Sequence, residues 1–269
     1  MKILFLGDIV GKSGCDLVFK NLKEQIKKKN IDFVIVNGEN AADPGVGITK
    51  KNVEQFFKIG IDVITTGNHV WDQKETMEFI SSEKRLLRPQ NLFEGSPGEG
   101  FGIFNSKNNK KVAVVNLMGN VFMKKCDDVF EAAKKFIQNV KLKEDADFIV
   151  VDMHGEITSE KMAMGYLFDG KVTMFVGTHT HVPTSDYRIM EKGTAYQTGL
   201  GMCGDYNSVI GMNRDNSLKK FFKDPSATKH YPALGEATIS GLMVIADNKT
   251  GLANKVEPIV LGKCLENRI

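Results

Sequence analysis

Between residues 3 and 176 the chain alternates short apolar runs with stretches of helical periodicity, and this alternation is what most limits the folds open to it. An apolar run of three to six residues is strand-sized. Repeated β-then-α units set such strands side by side in a central sheet with helices packed outside it. The predicted strands are 3–6, 33–36, 63–65, 112–117, 148–152 and 173–176. One helix carries Val18, Phe19, Leu22 and Ile26 on one side, a second is centred on Val53, Phe56 and Phe57, and two more cover 129–140 and 160–167. After Pro183 the pattern changes. Strands at 187–190, 194–197, 237–246 and 255–261, separated by turns such as Glu191-Lys192-Gly193, predict hairpins in a second, more antiparallel sheet packed on the first. Residues 95–102 and 199–232 are the expected long loops, the latter long enough to line or lid a site. With no internal repeat, low-complexity segment or linker in view, a single domain over 1–269 is expected.

Composition removes several function classes. The net charge of +3, from 36 basic and 33 acidic residues without a long single-sign block, gives no footprint for stable nucleic-acid or membrane-surface binding. The lysines of 23–29 read as the wet face of a helix. The opening MKILFLGD has four consecutive apolar residues before Gly7, short of the ~7–15 of a secretory signal, and no stretch approaches the ~18 of a membrane span. Cys15, Cys126, Cys203 and Cys264 lie far apart without a CxxC pair. They are expected to be reduced thiols of a cytoplasmic protein rather than zinc ligands.

Directly after predicted strands come Gly7-Asp8, Asn37-Gly38-Glu39-Asn40, Gly67-Asn68-His69, Asp152-Met153-His154-Gly155 and Gly177-Thr178-His179-Thr180-His181. Ligands of open α/β sheets gather at the carboxyl ends of strands, so motifs distant in sequence converge on one crevice. Asp, Glu, His and the amide oxygen of Asn are hard or borderline donors suited to Mn, Fe and Zn. His179 and His181, two apart, point the same way on a strand, but just past a strand end they can fan out to two neighbouring metals. A carboxylate such as Glu39 can bridge two ions about 3.5–4 Å apart and set up a shared hydroxide nucleophile. Each fragment alone has a plainer reading: Gly-Asp is commonly a turn or cap, and a lone buried histidine a hydrogen-bonded core residue. Independent turns do not collect four of five histidines. His230, in Lys-His-Tyr-Pro, falls outside the pattern and reads as a loop residue. Gly7-x-x-x-Gly11-Lys12-Ser13 imitates a Walker A loop, with three residues between its glycines where four are needed, so no nucleoside-triphosphate site is expected.

Taken in order, Gly-Asp, the acidic-amide pair, Gly-Asn-His, a lone His and His-x-His resemble the layout of the calcineurin-like metallophosphoesterases. The variants present, Gly7-Asp8-Ile9-Val10-Gly11, Asn37-Gly38-Glu39-Asn40-Ala41-Ala42, Gly67-Asn68-His69-Val70-Trp71-Asp72 and Thr178-His179-Thr180-His181-Val182-Pro183-Thr184, look like the YmdB-type branch. The similarity spans nearly the whole chain, including Asn116-Leu117-Met118-Gly119 and the glycine-rich stretch from Thr198 to Gly204. It implies a four-layer α/β/β/α sandwich and two metal ions. One ion would be held by Asp8, Glu39, Asn40 and His181, the other by Glu39 as bridge with Asn68, His154 and His179. His69 would be the general acid rather than a ligand. The implied activity is that of a phosphodiesterase, with 2′,3′-cyclic nucleotides favoured, working through attack of a metal-bridging hydroxide. The alternatives are a phosphomonoesterase or nucleotidase on the same site, and a metal-containing nucleotide-binding regulatory module with little turnover. Against the wider superfamily, Val10 stands where Asp-x-His has its histidine, and Glu39 replaces the usual bridging Asp. The first metal thereby loses an imidazole, Asn40 becomes the substitute, and the harder ligand set favours Fe or Mn over Zn. The implied partner is a small phosphodiester, with no nucleic acid and no membrane, and exposed apolar edges allow a homo-oligomer.

Overall fold

A computed structural model describes residues 1–267; the last two residues of the domain expected over 1–269 lie outside the described residues. β1 (Lys2–Leu6) and the short β2 (Asp8–Ile9) lead into α1 (Gly11–Lys29). β3 (Phe33–Asn37), α2 (Lys50–Lys58), β4 (Val63–Thr65), α3 (Glu75–Phe79) and β5 (Leu86–Leu87) follow. β1, β3, β4 and β5 pair in parallel, Ile3 opposite Phe33 and Ile35 opposite Val63, as crossovers that carry the chain back to the same edge require. The helices begin and end where local chemistry allows. Thr49 and Asn52 form a reciprocal capping box at the start of α2, and Asn30 closes α1 at φ 52 with Lys27, Lys28 and Lys29 at its negative dipole end.

A second sheet is built from β6 (Phe101–Asn105), β7 (Lys111–Met118), β8 (Phe148–His154), β9 (Met174–Thr178), β10 (Arg188–Ile189) and β11 (Ala195–Gln197), in the order β10-β11-β9-β8-β7-β6. Two helices, α4 (Val129–Asn139) and α5 (Thr158–Phe168), connect its central strands. The chain then returns to the first sheet through β12 (Met202–Asp205), α6 (Arg214–Phe221), β13 (Ala237–Ala246) and β14 (Ala253–Leu261).

Strand alternation generates the layers. Ile3 and Phe5 point between the sheets and meet Val112, Val114, Phe148 and Val150 there, whereas Leu4 and Leu6 point outward to Val18, Leu22 and Phe56 of the first helical layer. On the far side Val115, Ile149 and Val151 pack against Phe136, Met164 and Phe168 of α4 and α5. Three apolar interfaces thus separate four layers, an α/β/β/α sandwich, and each fully buried Phe or Ile contributes about 1.5–3 kcal/mol by leaving water. Among the described residues no helix is long and apolar enough to cross a membrane.

The second sheet differs from the one expected after Pro183. It draws on residues 101–197, and its inner pairs β7–β8, β8–β9 and β9–β11 are parallel, only the edge strands β6 and β10 running antiparallel. The hairpin of β13 and β14 belongs instead to the first sheet, with β13 antiparallel to β1. Turn residues report that two neighbouring strands pair, and carry no information about which sheet receives them. The supposed loop at 199–232 contains β12 and α6, and that at 95–102 runs into β6.

Candidate metal centre

Both sheets present the carboxyl ends of their parallel strands at one edge. Asp8 follows β1, Glu39 and Asn40 follow β3, Asn68 and His69 follow β4, His154 ends β8, and His179 and His181 follow β9. Asp8, Glu39, Asn40, His154 and His181 are buried, while Asn68, His69 and His179 are partly exposed. His230 is exposed and belongs to no cluster of this edge, and Lys12 of the false Walker loop pairs with Asp16 at 2.6 Å in solvent.

Glu39, His154 and His179 bring ligand-type atoms within 4.8 Å of one another. His154 Nε2 lies 2.9 Å from Glu39 Oε1, 3.0 Å from Asn68 Oδ1 and 3.2 Å from His179 Nδ1. The protons can be traced. Thr178 Oγ1 donates to Asp152 Oδ1 at 2.7 Å, so it accepts from His154 Nδ1 at 2.9 Å, which leaves Nε2 as the nitrogen that meets Glu39, with a single place there for a proton or a metal. His179 Nε2 faces Glu156 Oε2 at 3.1 Å and donates there, leaving Nδ1 bare. Burial first, then the neighbouring His154, pushes the His179 imidazole down to about 3, so it carries no second proton. Four electron-pair donors therefore aim at one place, where one proton can serve one contact and not three. A cation resolves that arrangement, and the set of one carboxylate, one amide oxygen and two imidazoles suits a transition metal.

Charge in this pocket is shared. Burial lowers and the Glu39 carboxylate raises the His154 imidazole, with the rise winning. Burial likewise pushes Glu39 upward, but a proton on His154 and the His69 N–H outweigh it and hold Glu39 at about 2, so the proton on Nε2 is what a metal would replace. Behind the pair, burial raises Asp152 to about 6, opposed by His154 and by hydroxyls of Thr65 (2.5 Å) and Thr178.

A second group lies alongside. Asp8 Oδ1 is 3.8 Å from His181 Nε2 and 3.9 Å from His154 Nδ1. His181 Nδ1 donates to the Ile210 carbonyl at 2.7 Å, again turning a bare Nε2 inward. Asn40 Nδ2 donates to the Gly45 carbonyl at 2.9 Å, which fixes the amide, and its Oδ1 is buried without a hydrogen-bond partner. An unpartnered buried acceptor just after β3, on the same edge as the Asp8 carboxylate and the His181 imidazole, has the chemistry of a ligand to a second cation. His179 and His181 stand at φ 92 and 61, strain of about 1–3 kcal/mol each, which turns the two rings apart, one to each group.

A family profile described as YmdB-like protein matches residues 4–259. The chain belongs to the YmdB-like family. It is 42% identical over 261 residues, 97% of either chain, to a Bacillus subtilis relative named 2′,3′-cyclic-nucleotide 2′-phosphodiesterase. Among solved structures, a phosphatase from Mycoplasma pneumoniae is 37% identical with a TM-score of 0.89, over 97% of this chain and 93% of that one. A hypothetical protein from Thermus thermophilus is 34% identical with a TM-score of 0.88, over 98% and 100%.

In this YmdB-like site the sequence picks out Asp152, in the motif Asp152-Met153-His154-Gly155, without giving it a role. Two residues before His154 on β8, it lies on the same face and supports that imidazole through Thr178. Glu156, the Ile210 carbonyl and the Thr178 hydroxyl are brought in by tertiary packing alone. So is Lys161, whose buried ammonium donates to the Thr178 carbonyl at 2.9 Å and is pushed below its usual range by burial.

Proposed function

We propose that this hydrolytic phosphoesterase cleaves phosphodiesters, with 2′,3′-cyclic nucleotides as the substrate class, on a site built for two metal ions. The convergence of Glu39, Asn68, His154 and His179 with at most one proton among their contacts carries the reading. Asp8, Asn40 and His181 would hold one ion, Asn68, His154 and His179 the other, and Glu39 both, with Fe or Mn preferred by the oxygen-rich set. When bound, two such ions supply Lewis acidity to the phosphoryl oxygens and an acidified water as nucleophile. The chain's own part is to orient and to move a proton. His69, tied by its backbone N–H to Glu39 Oε2 at 2.9 Å, stands beside the centre and donates a proton from its ring to the departing oxygen. Asp152, Thr178 and Glu156 hold the two ligand imidazoles in the tautomers that leave bare nitrogens inward. The cyclic-nucleotide preference is supported by the Bacillus subtilis relative. The whole chain is taken as one domain, and its four free cysteines accord with a cytoplasmic enzyme acting on a small phosphodiester.

Protein loaded with Mn²⁺ is expected to turn over bis-p-nitrophenyl phosphate and 2′,3′-cyclic nucleotides faster than p-nitrophenyl phosphate. A faster monoester rate would replace the diesterase reading with a phosphomonoesterase. His69→Ala should lower kcat on a cyclic nucleotide by about 10²–10⁴-fold with bound metal unchanged, as elemental analysis would record. Equal kcat in the two proteins would remove His69 from the chemistry.

A further inference from the structure

His69 is held from two directions. Its backbone N–H donates to Glu39 Oε2 at 2.9 Å, and its ring Nδ1 lies 2.7 Å from Asp72 Oδ2. The contact follows from the turn: Val70 N–H donates to the Gly67 carbonyl at 3.2 Å and Asp72 N–H to the His69 carbonyl at 3.0 Å, so side chains three apart meet on one side. A carboxylate at that distance accepts a hydrogen bond from Nδ1–H, fixing the plane of the ring and leaving Nε2 as the nitrogen that meets substrate. Asp72 is steadied in turn, for its Oδ1 lies 3.3 Å from Lys124 Nζ. Lys124 comes from the connection between β7 and α4, which is anchored where Asn120 N–H donates to Glu160 Oε1 at 2.9 Å and Asn120 Oδ1 accepts from Val129 N–H at 2.9 Å. A loop of the second sheet thus braces a histidine at the end of a strand of the first.

We propose that Asp72 is the positioning residue for His69. The inference rests on the reading of His69 as the proton donor. Side-chain exposures of 29% for His69 and 30% for Asp72 mean the pair adds little to stability, as exposed ion pairs do. Its effect is on geometry: a proton donor misplaced by about 1 Å loses on the order of 10² in rate. The benefit is confined to reactions that need the proton. A leaving group that departs readily as an anion gains little from an oriented acid, whereas a sugar alkoxide depends on one.

The test compares Mn²⁺-loaded wild type, His69→Ala, Asp72→Asn and Asp72→Glu on methyl aryl phosphate diesters whose phenols rise in pKa. Wild type should show a shallow dependence of kcat on leaving-group pKa, and His69→Ala a steep one. Asp72→Asn should be steep as well, with kcat on the poorest leaving group lower by about 10–100-fold, the loss shrinking toward the best, and KM and bound metal unchanged. Asp72→Glu, which keeps a carboxylate, should recover part of the wild-type slope. Asn has the shape of Asp and the site is partly exposed, so the fold should survive; Asp72→Ser serves the same purpose if it does not. A steep His69→Ala profile beside a wild-type profile for the Asp72 variants overturns the positioning role and leaves His69 as the acid. A shallow His69→Ala profile instead overturns the reading of His69 itself, and this inference with it.

Discussion

Replacing Glu39 with glutamine is expected to lower kcat/KM by about 10³-fold or more, some 4 kcal/mol at ~1.4 kcal/mol per decade, while the protein stays folded. Size is nearly conserved; what changes is charge and the direction of one group. Glu39 Oε2 accepts the His69 N–H at 2.9 Å and Oε1 faces His154 Nε2 at 2.9 Å. A glutamine must keep its oxygen toward His69, because an amide N–H₂ there would face another donor. Its N–H₂ then faces His154 Nε2 and occupies the lone pair that a metal needs. The fold is spared, because a buried carboxylate has been exchanged for a neutral group with both hydrogen bonds intact. The readouts are metal per chain, kcat/KM on bis-p-nitrophenyl phosphate, and Tm with and without Mn²⁺. Wild type should gain Tm on adding metal, as binding to the native state requires, and Glu39→Gln should lose most of that gain. Two ions per chain with ordinary turnover would show that Glu39 is not the bridge.

The parts of this molecule that could be read in advance are those fixed by local pattern. β1, β3, β4, β7, β8 and β9 are apolar runs long enough to be seen, and the glycine or polar residue after each marks where it stops. β2 and β5, two residues each, exist because a neighbouring strand lies ready to pair with them, and no sequence window that short holds a signal. β12 lies in a stretch rich in glycine and polar residues, where propensity says loop and tertiary pairing with β13 overrides it, and α6 in the same stretch is capped by Asn213, whose side chain accepts from Asn216 N–H. The site divides in the same way. Ligand-type residues at strand ends are local facts, since a strand end and a glycine can be located without knowing the fold. The proton positions at His154 and His179 depend on Thr178, Asp152 and Glu156, which meet only after two sheets have packed. Whether His179 and His181 point together or apart was open in the sequence, because either backbone is available to histidine. Both stand at positive φ, with the Asp8 carboxylate accepting His179 N–H at 3.2 Å and the Ile210 carbonyl accepting from the His181 ring, contacts that form only in the folded chain.

Gly67→Ala should be nearly as damaging as the loss of Glu39, although it removes no functional atom. A Cβ on Gly67 would stand 2.2 Å from His154 Nε2 and 2.5 Å from Glu39 Oε2, far inside contact distance. Neither neighbour is a loose chain end: His154 is anchored at Nδ1 by Thr178 on a fully buried strand, and Glu39 is tied to the His69 N–H. The methyl must therefore push the loop after β4 outward, carrying Asn68 and His69 with it, or drive the imidazole off the shared point. Overpacking of this kind costs about 1–3 kcal/mol of stability. The displaced ring and amide should lower kcat by about 10²-fold or more, since catalytic geometry tolerates errors well below 1 Å. Gly155→Ala is the matched control, one residue beyond His154. A Cβ there meets nothing closer than 3.6 Å, and neither glycine has the positive φ that would strain an alanine. Kinetics and metal content of the two variants separate a general intolerance of substitution near His154 from a specific demand for empty space at 67. If Gly67→Ala binds metal and turns over like Gly155→Ala, then Glu39 and His154 do not need the approach to β4 that brings their ligand atoms together, and the four-donor arrangement is not what binds the metal.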